Sequence, residues 1–420
     1  MKKTFIIIFL LISLVSFSAN KYIWLQGLEG EKGAHIWDIY QQELTGTNGY
    51  IYKYPPNNSI SEIASNLYVN YLKPNEEHDS FILIGHSMGG LIARSMQRLS
   101  PKVKAIITIG TPNLGSTLLQ NLLNGKSYDF FSNAILNANK AIDVSLVSDI
   151  FSGIPVTTLA APIILPIGIF KKITLNNTLL LLKMKYQSGI GIYALSHPCI
   201  RDMLPDSKYL RDLNSINTTV PHINIYGAEN NWQVVRAMGS LSKISELMNP
   251  ENIDKSYDQE FIPKIHAGLA FINQIQMAHN LVYNALAIPA IFLPWIWLTR
   301  ELVLKARFEW DALSRYLDVG MHADFAKNMG AIEYRLQNYC IPMGSDLRKL
   351  SCKQMYLPYI LENDGILSKK DVVSFLQTGN NTYHVQVVGV NHQEMGNHIE
   401  MRKLLDGIIN LKTHGDVFAK

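Results

Sequence analysis

The chain has 420 residues, of which 47% are hydrophobic and 17% charged, which excludes wholesale disorder and allows one large domain or two. Lysine and arginine (38) nearly balance aspartate and glutamate (34), so the net charge of +4 gives no reason to expect nucleic-acid binding. The three cysteines, Cys199, Cys340 and Cys352, are too few for a disulfide scaffold or a metal motif. In an exported chain Cys340 and Cys352 could pair across a short loop; three unpaired buried thiols are the alternative.

The N-terminal segment is typical of a secretory signal peptide. Residues 1–4 include the basic pair Lys2 and Lys3, residues 5–15 are almost all apolar, and small residues follow at Ser16, Ser18 and Ala19. We therefore expect cleavage near Ser18 or Ala19, which removes residues 1–19 and sends the protein to the cell envelope, the periplasm or the medium. An uncleaved anchor is the alternative, but the apolar run is short for a spanning helix, which needs ~20 residues.

The first part of the chain alternates short apolar strands with helices. The pattern predicts strands at 22–25, 50–52, 81–84 and 105–109, and helices at 35–44, 59–72 and 88–99. Ser59 and Glu62 have the spacing of a capping box at the start of the second helix. Because strands that are apolar on both faces alternate with helices, we predict an α/β fold with a mostly parallel sheet covered by helices on both faces.

Two long segments interrupt this alternation. They cover about 114–219 and 231–350, the second reads as mostly helical, and a strand at 222–226 separates them. The pattern resumes with a strand at 383–388 and a helix over 394–411. We therefore predict one α/β domain over residues 20–420 with two insertions that follow strands.

A candidate nucleophile lies in the sequence GHSMG at 85–89. This G-x-S-x-G pattern stands directly between a predicted strand and a predicted helix, as a nucleophile elbow requires. Gly85 and Gly89 leave room for the tight turn, and Ser87 would be exposed at the carboxyl edge of the sheet. A strand-to-helix turn with an idle serine is the alternative.

The serine needs a base and the base needs an orienting carboxylate. His392 lies in the loop after the last strand, whereas His384 is inside that strand and His398 falls in the following helix. Asp364, followed by glycine in a turn, is the preferred acid because it keeps the order Ser, Asp, His. Two other acids remain open for this role: Glu229, three residues after a strand, and Asp371.

Two further roles complete the predicted site. The oxyanion of an acyl-transfer intermediate needs N–H donors, for which we predict the backbone of Met88 and of Leu28. His86 neighbours the serine but the elbow turns it away, so we expect it to shape the substrate-binding pocket. No metal ligands are predicted.

With these residues in place, the sequence resembles the bacterial lipase branch of the α/β-hydrolase superfamily. QGLEG at 26–30 is similar to the family's H-G-L-x-G oxyanion loop, and GHSMGG at 85–90 to its G-H-S-x-G-G elbow. TIGTPNLGS at 108–116 resembles T-I-G-T-P-H-x-G-S, DGI at 364–366 resembles the D-G-V-V turn that carries the acid, and Asn391-His392 with Glu394 resembles the histidine segment. Gln26 and Asn113 replace histidines of the family pattern.

The resemblance implies an α/β-hydrolase fold and a secreted serine lipase or esterase that cleaves acyl esters, with lipid as the substrate. An acyltransferase, or an amide or thioester hydrolase with the same residues, is the alternative. It implies no cofactor, and no aspartate pair supports the structural calcium of some relatives. Insertions form lids in this family, and the proline-broken apolar segments 153–170 and 285–298 are candidates for a cap or lid that contacts a membrane or lipid interface transiently. Burial in a larger core is the alternative.

Overall fold

The computed structural model describes residues 19–28, 37, 40–55, 57–124, 133, 136–137, 140, 197–216, 218–228, 258–343, 346–364, 366–373, 381–392, 394–396 and 398–410. The predicted signal peptide, except Ala19, and the apolar segment 153–170 lie outside these residues, as does the alternative acid Glu229.

The strands of the described residues are β1 (Ala19–Leu25), β2 (Gly49–Tyr52), β3 (Asp79–His86), β4 (Val103–Ile109), β5 (His222–Ala228), β6 (Ile332–Met343), β7 (Asp346–Ile360) and β8 (Thr382–Val388). Six of them form a sheet in the order β2-β1-β3-β4-β5-β8, in which every neighbouring pair is parallel. Leu25, Gly85 and Thr108 are register partners across β1, β3 and β4. The loops after these three strands therefore open at one edge of the sheet.

The described helices are α1 (Ile60–Leu67), α2 (Met88–Leu99), α3 (Thr117–Leu123), α4 (Pro198–Asp202), α5 (Lys208–Asn214), α6 (Asp258–Ala285), α7 (Ala287–Phe292), α8 (Pro294–Arg315), α9 (Met321–Asn328), α10 (Lys369–Val373) and α11 (Ile399–Ile409). Single turns also occur, with π geometry at Gln41–Thr45, Tyr68–Leu72 and Tyr316–Gly320, α geometry at Lys73–Asn75 and 3₁₀ geometry at Gly46–Asn48 and Glu394–Gly396. No helix in the described part of the chain is long and apolar enough to cross a membrane.

Both faces of the sheet are buried under helices, as predicted. Ile23 and Leu83 belong to a cluster that also holds apolar residues of α1, α2, α5 and α9. Trp24 and Ile84, their chain neighbours, point to the opposite face and pack with apolar residues of α11. The alternation of strand side chains between two buried faces explains the continuous apolar runs in the sequence.

The predicted strands are confirmed, whereas the last helix begins later than predicted, at Ile399, and ends at Ile409. The helix predicted over 35–44 lies partly outside the described residues, and a π turn follows at Gln41–Thr45. Each predicted strand coincides with a strand of the parallel sheet, and the helix at 88–99 has the predicted ends. The capping box forms as expected, because the Ser59 hydroxyl accepts from the Glu62 N–H while the Glu62 carboxylate accepts from the Ser59 N–H. The helix predicted over 59–72 continues beyond α1 as a π turn that ends at Leu72.

The mostly helical interpretation of 231–350 is wrong at its end. Helices α6 to α9 lie in this segment, but β6 and β7 then pair as a long antiparallel hairpin that runs past the predicted boundary. The hairpin does not join the main sheet, and Tyr334 and Leu336 on its first strand are exposed. Its register places Cys340 opposite Cys352.

Candidate active site

Ser87 occupies a strained turn between β3 and α2. Its φ of 54° and ψ of −123° are sparsely populated for a residue with a side chain. The Ser87 N–H donates to the carbonyl of Ile109 at 2.8 Å, which ties the turn to β4. Such strain persists only where the surroundings hold it, and it is typical of a nucleophile elbow.

The glycines beside Ser87 are required by close backbone contacts. A Cβ on Gly85 would lie 2.4 Å from the carbonyl carbon of Gly89, and a Cβ on Gly89 would lie 2.3 Å from the carbonyl oxygen of Leu25. The start of α2 therefore sits directly on β1 and β3. This packing explains in physical terms why the G-x-S-x-G spacing is needed.

Asp364 and His392 form a buried pair in the loops beyond the sheet. Asp364 Oδ2 lies 2.8 Å from His392 Nδ1, and the two side chains are 2% and 5% exposed. The other carboxylate oxygen accepts the backbone N–H groups of Ile366 and Leu367 at 3.0 and 2.7 Å. Because a carboxylate can only accept, the proton sits on Nδ1 and Nε2 is left with a lone pair, the tautomer that a general base requires.

The loop that carries His392 is braced by its own hydrogen bonds. The Asn391 N–H donates to the Glu394 carboxylate at 3.1 Å, and the Glu394 N–H donates to the Asn391 side chain at 3.0 Å. The His392 N–H donates to the Asp364 carbonyl at 2.8 Å. The two loops are therefore joined by backbone as well as by side chain.

His86 supports the histidine loop from beneath. It is buried, and its Nε2–H donates to the His392 carbonyl at 2.9 Å, with the two imidazole rings 4.8 Å apart. Burial, and then the neighbouring His392, lowers the pKa of His86 to about 3, so the ring is neutral at neutral pH. The structure gives this residue, predicted to shape the substrate pocket, a backbone contact with the candidate base.

Two glycines bring the loops of the site close together. A Cβ on Gly27 would lie 2.9 Å from Ser87 Cβ, which places the predicted oxyanion loop against the serine. Gly110 follows β4 with φ +53°, and a Cβ there would lie 3.1 Å from His392 Nδ1 and 3.3 Å from Asp364 Oδ2. A larger residue at either position would displace the candidate catalytic side chains.

The predicted oxyanion loop is held by a residue that the sequence patterns do not indicate. The buried Tyr54 hydroxyl donates to the carbonyl oxygens of Gln26 and, at 3.0 Å, Gly27. Burial raises the pKa of Tyr54 well above 10, so the hydroxyl stays a donor. In a trans peptide the N–H points away from the C=O, so fixing the Gly27 carbonyl also fixes the direction of the Leu28 N–H. Nothing local in the sequence marks Tyr54 for this role.

Replacing Tyr54 with phenylalanine is expected to lower kcat about 10- to 100-fold with little change in KM. The two carbonyls lose their donor, and a misdirected oxyanion donor costs part of the ~10²–10³-fold effect of losing one outright. The check is steady-state kinetics on a soluble ester. Tyr52→Phe, whose ring is 5.8 Å from Tyr54, is the matched control, and an equal loss in both variants would contradict the positioning role.

The alternative acids are separated from His392 or outside the described residues. The buried Asp371 carboxylate accepts from Thr117 Oγ1 at 3.1 Å and from the Ser368 N–H at 3.4 Å. Burial raises the pKa of Asp371 to about 6. These contacts tie α10 to α3, whereas Asp364 is the acid whose oxygen faces the imidazole.

The two residues that depart from the family pattern, Asn113 and Gln26, are both buried. Asn113 accepts from the buried Arg94 guanidinium at 2.9 Å and donates to the Val372 carbonyl at 2.8 Å, so it links the loop after β4 to α10. Gln26 is buried, and the Tyr54 hydroxyl supports its backbone. Within the described residues, no group of three or more His, Cys, Asp or Glu side chains could hold a metal ion.

The fold has the features of the α/β-hydrolase fold: a parallel sheet with this strand order, a strained serine at a strand–helix junction and an Asp–His pair in later loops. In agreement, residues 41–155 match the protein family described as a PGAP1-like alpha/beta domain.

No curated protein matches the sequence, but solved structures do. The lipase BlEst2 of Bacillus licheniformis is 12% identical with a TM-score of 0.31, over 55% of this chain and 75% of its own. The phospholipase PlaB of Legionella pneumophila is 14% identical with a TM-score of 0.29, over 54% of this chain and 42% of its own. Likeness at this level carries no argument about activity.

Proposed function

We propose that the protein is a serine hydrolase that cleaves carboxylic esters through an acyl-enzyme. The observation that carries this proposal is the buried Asp364–His392 pair, whose tautomer leaves Nε2 free to accept a proton, in the same site as the strained Ser87. An idle serine would not need a φ of 54°, and an idle histidine would not need a buried carboxylate partner.

In the proposed reaction Ser87 Oγ attacks the ester carbonyl while His392 Nε2 takes the hydroxyl proton. Asp364 holds the imidazolium through Nδ1–H and remains ionised. The tetrahedral oxyanion accepts from the Met88 and Leu28 N–H groups. Collapse breaks the ester C–O bond, and His392 returns the proton to the leaving alcohol. Water then attacks the acyl-enzyme by the same steps, which releases the acid and restores Ser87. No cofactor takes part.

Lipid acyl esters are the proposed substrates. The support is the apolar character of both insertions, since an acyl chain needs a large apolar surface to lie against. The alternative is that the same acyl-enzyme passes its acyl group to an acceptor other than water, which the reactions with added alcohol test. The basic start and apolar run of residues 1–15 support export through a signal peptide.

The test combines labelling with a series of esters. A fluorophosphonate probe should modify Ser87, and peptide mapping locates the modification. p-Nitrophenyl esters of increasing chain length should be hydrolysed, with longer chains preferred. The same reactions with added alcohol measure transfer against hydrolysis, and dominant transfer would favour an acyltransferase. A folded protein that neither reacts with the probe nor releases p-nitrophenol would overturn the proposed hydrolase.

A further inference from the structure

Helices α6 and α8 form a helical hairpin whose end exposes a dense set of apolar side chains. We call residues 285–298 the hairpin tip. Phe292 is 76% exposed and Trp295 is 61% exposed. The other large exposed side chains of the hairpin tip are Ile288, Ile291, Leu293, Trp297 and Leu298. Apolar side chains this exposed and this close together are unusual on a soluble surface and mark a contact site.

The charge pattern of the hairpin separates its end from its base. Residues 265–299 contain no lysine, arginine, aspartate or glutamate, whereas charged residues are frequent in α8 from Arg300 onwards. His279 is buried in this stretch, and its burial lowers the pKa of the ring. The Arg300 guanidinium lies 4.0 Å from the Tyr283 ring, just below the hairpin tip. The whole end of the hairpin therefore carries no fixed charge, and the first cation next to it is Arg300.

The exposed side chains are not needed to hold the hairpin together. Ile272 packs with Trp310 and Leu313 in the lower part, and Val282 packs with Val303 nearer the end. Leu317 contacts both the lower cluster and the main core, which anchors the hairpin to the hydrolase domain. The packing between the helices therefore leaves the outward side chains of the hairpin tip free to contact something else.

The bend at the end of the hairpin is explained by Leu293 and Pro294. Leu293 has φ −129° and ψ 107°, the extended conformation that a following proline favours, and Pro294 begins α8. The chain therefore bends between α7 and α8 at residues that remain apolar. This bend presents phenylalanine and tryptophan side chains at the point where the hairpin reverses.

We propose that the hairpin tip is a docking element that inserts its apolar side chains into the surface of a neutral phospholipid layer. Tryptophan at the boundary between headgroups and acyl chains, an uncharged segment in the acyl region and a cation at headgroup level are the features that such a surface accommodates. Arg300 and Glu301 adjoin the end with opposite charges, so insertion depends on apolar contact and not on anionic lipid.

A protein partner fits these side chains less well. Protein interfaces carry about one hydrogen bond per 100–200 Å², whereas the side chains of the hairpin tip are almost all hydrocarbon and aromatic ring. A lipid acyl region requires no such partners. The other two occupants, a second copy of the chain and the apolar segment 153–170 of the same chain, are distinguished by the experiment.

The test is flotation of the full-length protein with vesicles of ether-linked phosphatidylcholine, which an ester hydrolase cannot cleave. The wild type should float with the vesicles at low and high salt alike. The double variant Phe292→Asp/Trp295→Asp should partition about 100-fold more weakly, because burial of each side chain is worth about tenfold or more. Val69→Asp, at an exposed apolar residue far from the hairpin tip in sequence, is the matched control and should float like the wild type.

Three readouts separate this proposal from its alternatives and from the proposed activity. The melting temperature and the turnover of a short soluble ester should be unchanged in the double variant.

The proposal is overturned if the wild type does not float with the vesicles or if the double variant floats like the wild type. Loss of flotation together with a large fall in melting temperature would assign the residues to internal packing and overturn it too. Dissociation of a dimer in the variant, with no vesicle binding by the wild type, would make a second copy the occupant. The result of the flotation test does not depend on whether Ser87 is a nucleophile.

Discussion

Replacing Ser87 with alanine is expected to lower kcat for ester hydrolysis by about 10⁴–10⁶ while the protein stays folded. The change removes one oxygen, and the backbone bond from the Ser87 N–H to Ile109 is kept. Losses of this size are typical when a nucleophile acting with a base is removed. The check is kinetics with p-nitrophenyl esters beside a melting curve. A variant that keeps a tenth of the wild-type activity would exclude Ser87 as the nucleophile.

The same experiment extends to the base. His392→Ala should be about as damaging as Ser87→Ala, and the double variant hardly worse than either, because residues that act as one unit are not additive. His398→Ala is the matched control, since His398 caps α11 at the surface through its contact with the Glu400 N–H. If His398→Ala were crippling and His392→Ala mild, the base would have been misassigned.

The parallel sheet could be predicted because its strands are buried on both faces. Apolar runs such as 81–84 admit few other interpretations when helical patterns flank them, and the strand–helix boundary at Ser87 sharpens the assignment. The β6–β7 hairpin was harder to predict from the sequence. It does not join the main sheet, although the alternation of Ile332, Tyr334 and Leu336 with polar residues was a usable signal for a strand.

Some residues of the candidate site could also be predicted from the sequence, and others could not. Ser87, Asp364 and His392 stand in local motifs with recognisable turns, so their residue types and order indicate the chemistry. The roles of Tyr54 and Gly110 depend on contacts between loops that are distant in sequence, and no local pattern encodes these contacts. The burial state of 285–298 also depends on how the helices pack. The sequence left open a lid and a buried core, and the structure exposes most of the large side chains here while it buries Ile296.

Replacing Asp364 with asparagine should cost about 10⁴-fold in kcat and leave the fold intact. The asparagine can present an amide N–H to the imidazole, which favours the tautomer with a proton on Nε2, and that nitrogen can then no longer accept the proton of Ser87. The hydrogen bonds of the other carboxylate oxygen can be kept, because the amide oxygen of asparagine still accepts from the Ile366 and Leu367 N–H groups. The loss should fall on kcat and not on KM, since the carboxylate orients the base rather than binding substrate.

The matched control is the neighbouring buried acid. Asp371→Asn removes a carboxylate of similar burial whose contacts are to Thr117 and Ser368, so activity should fall less than about tenfold even if the melting temperature drops. Glu229→Gln belongs in the same series because it was the other acid that the sequence allowed. A crippling effect at either position with a mild effect at Asp364 would mean that His392 takes a different carboxylate partner during the reaction. Because the three variants differ only in which carboxylate becomes an amide, the comparison tests the orientation of the base directly.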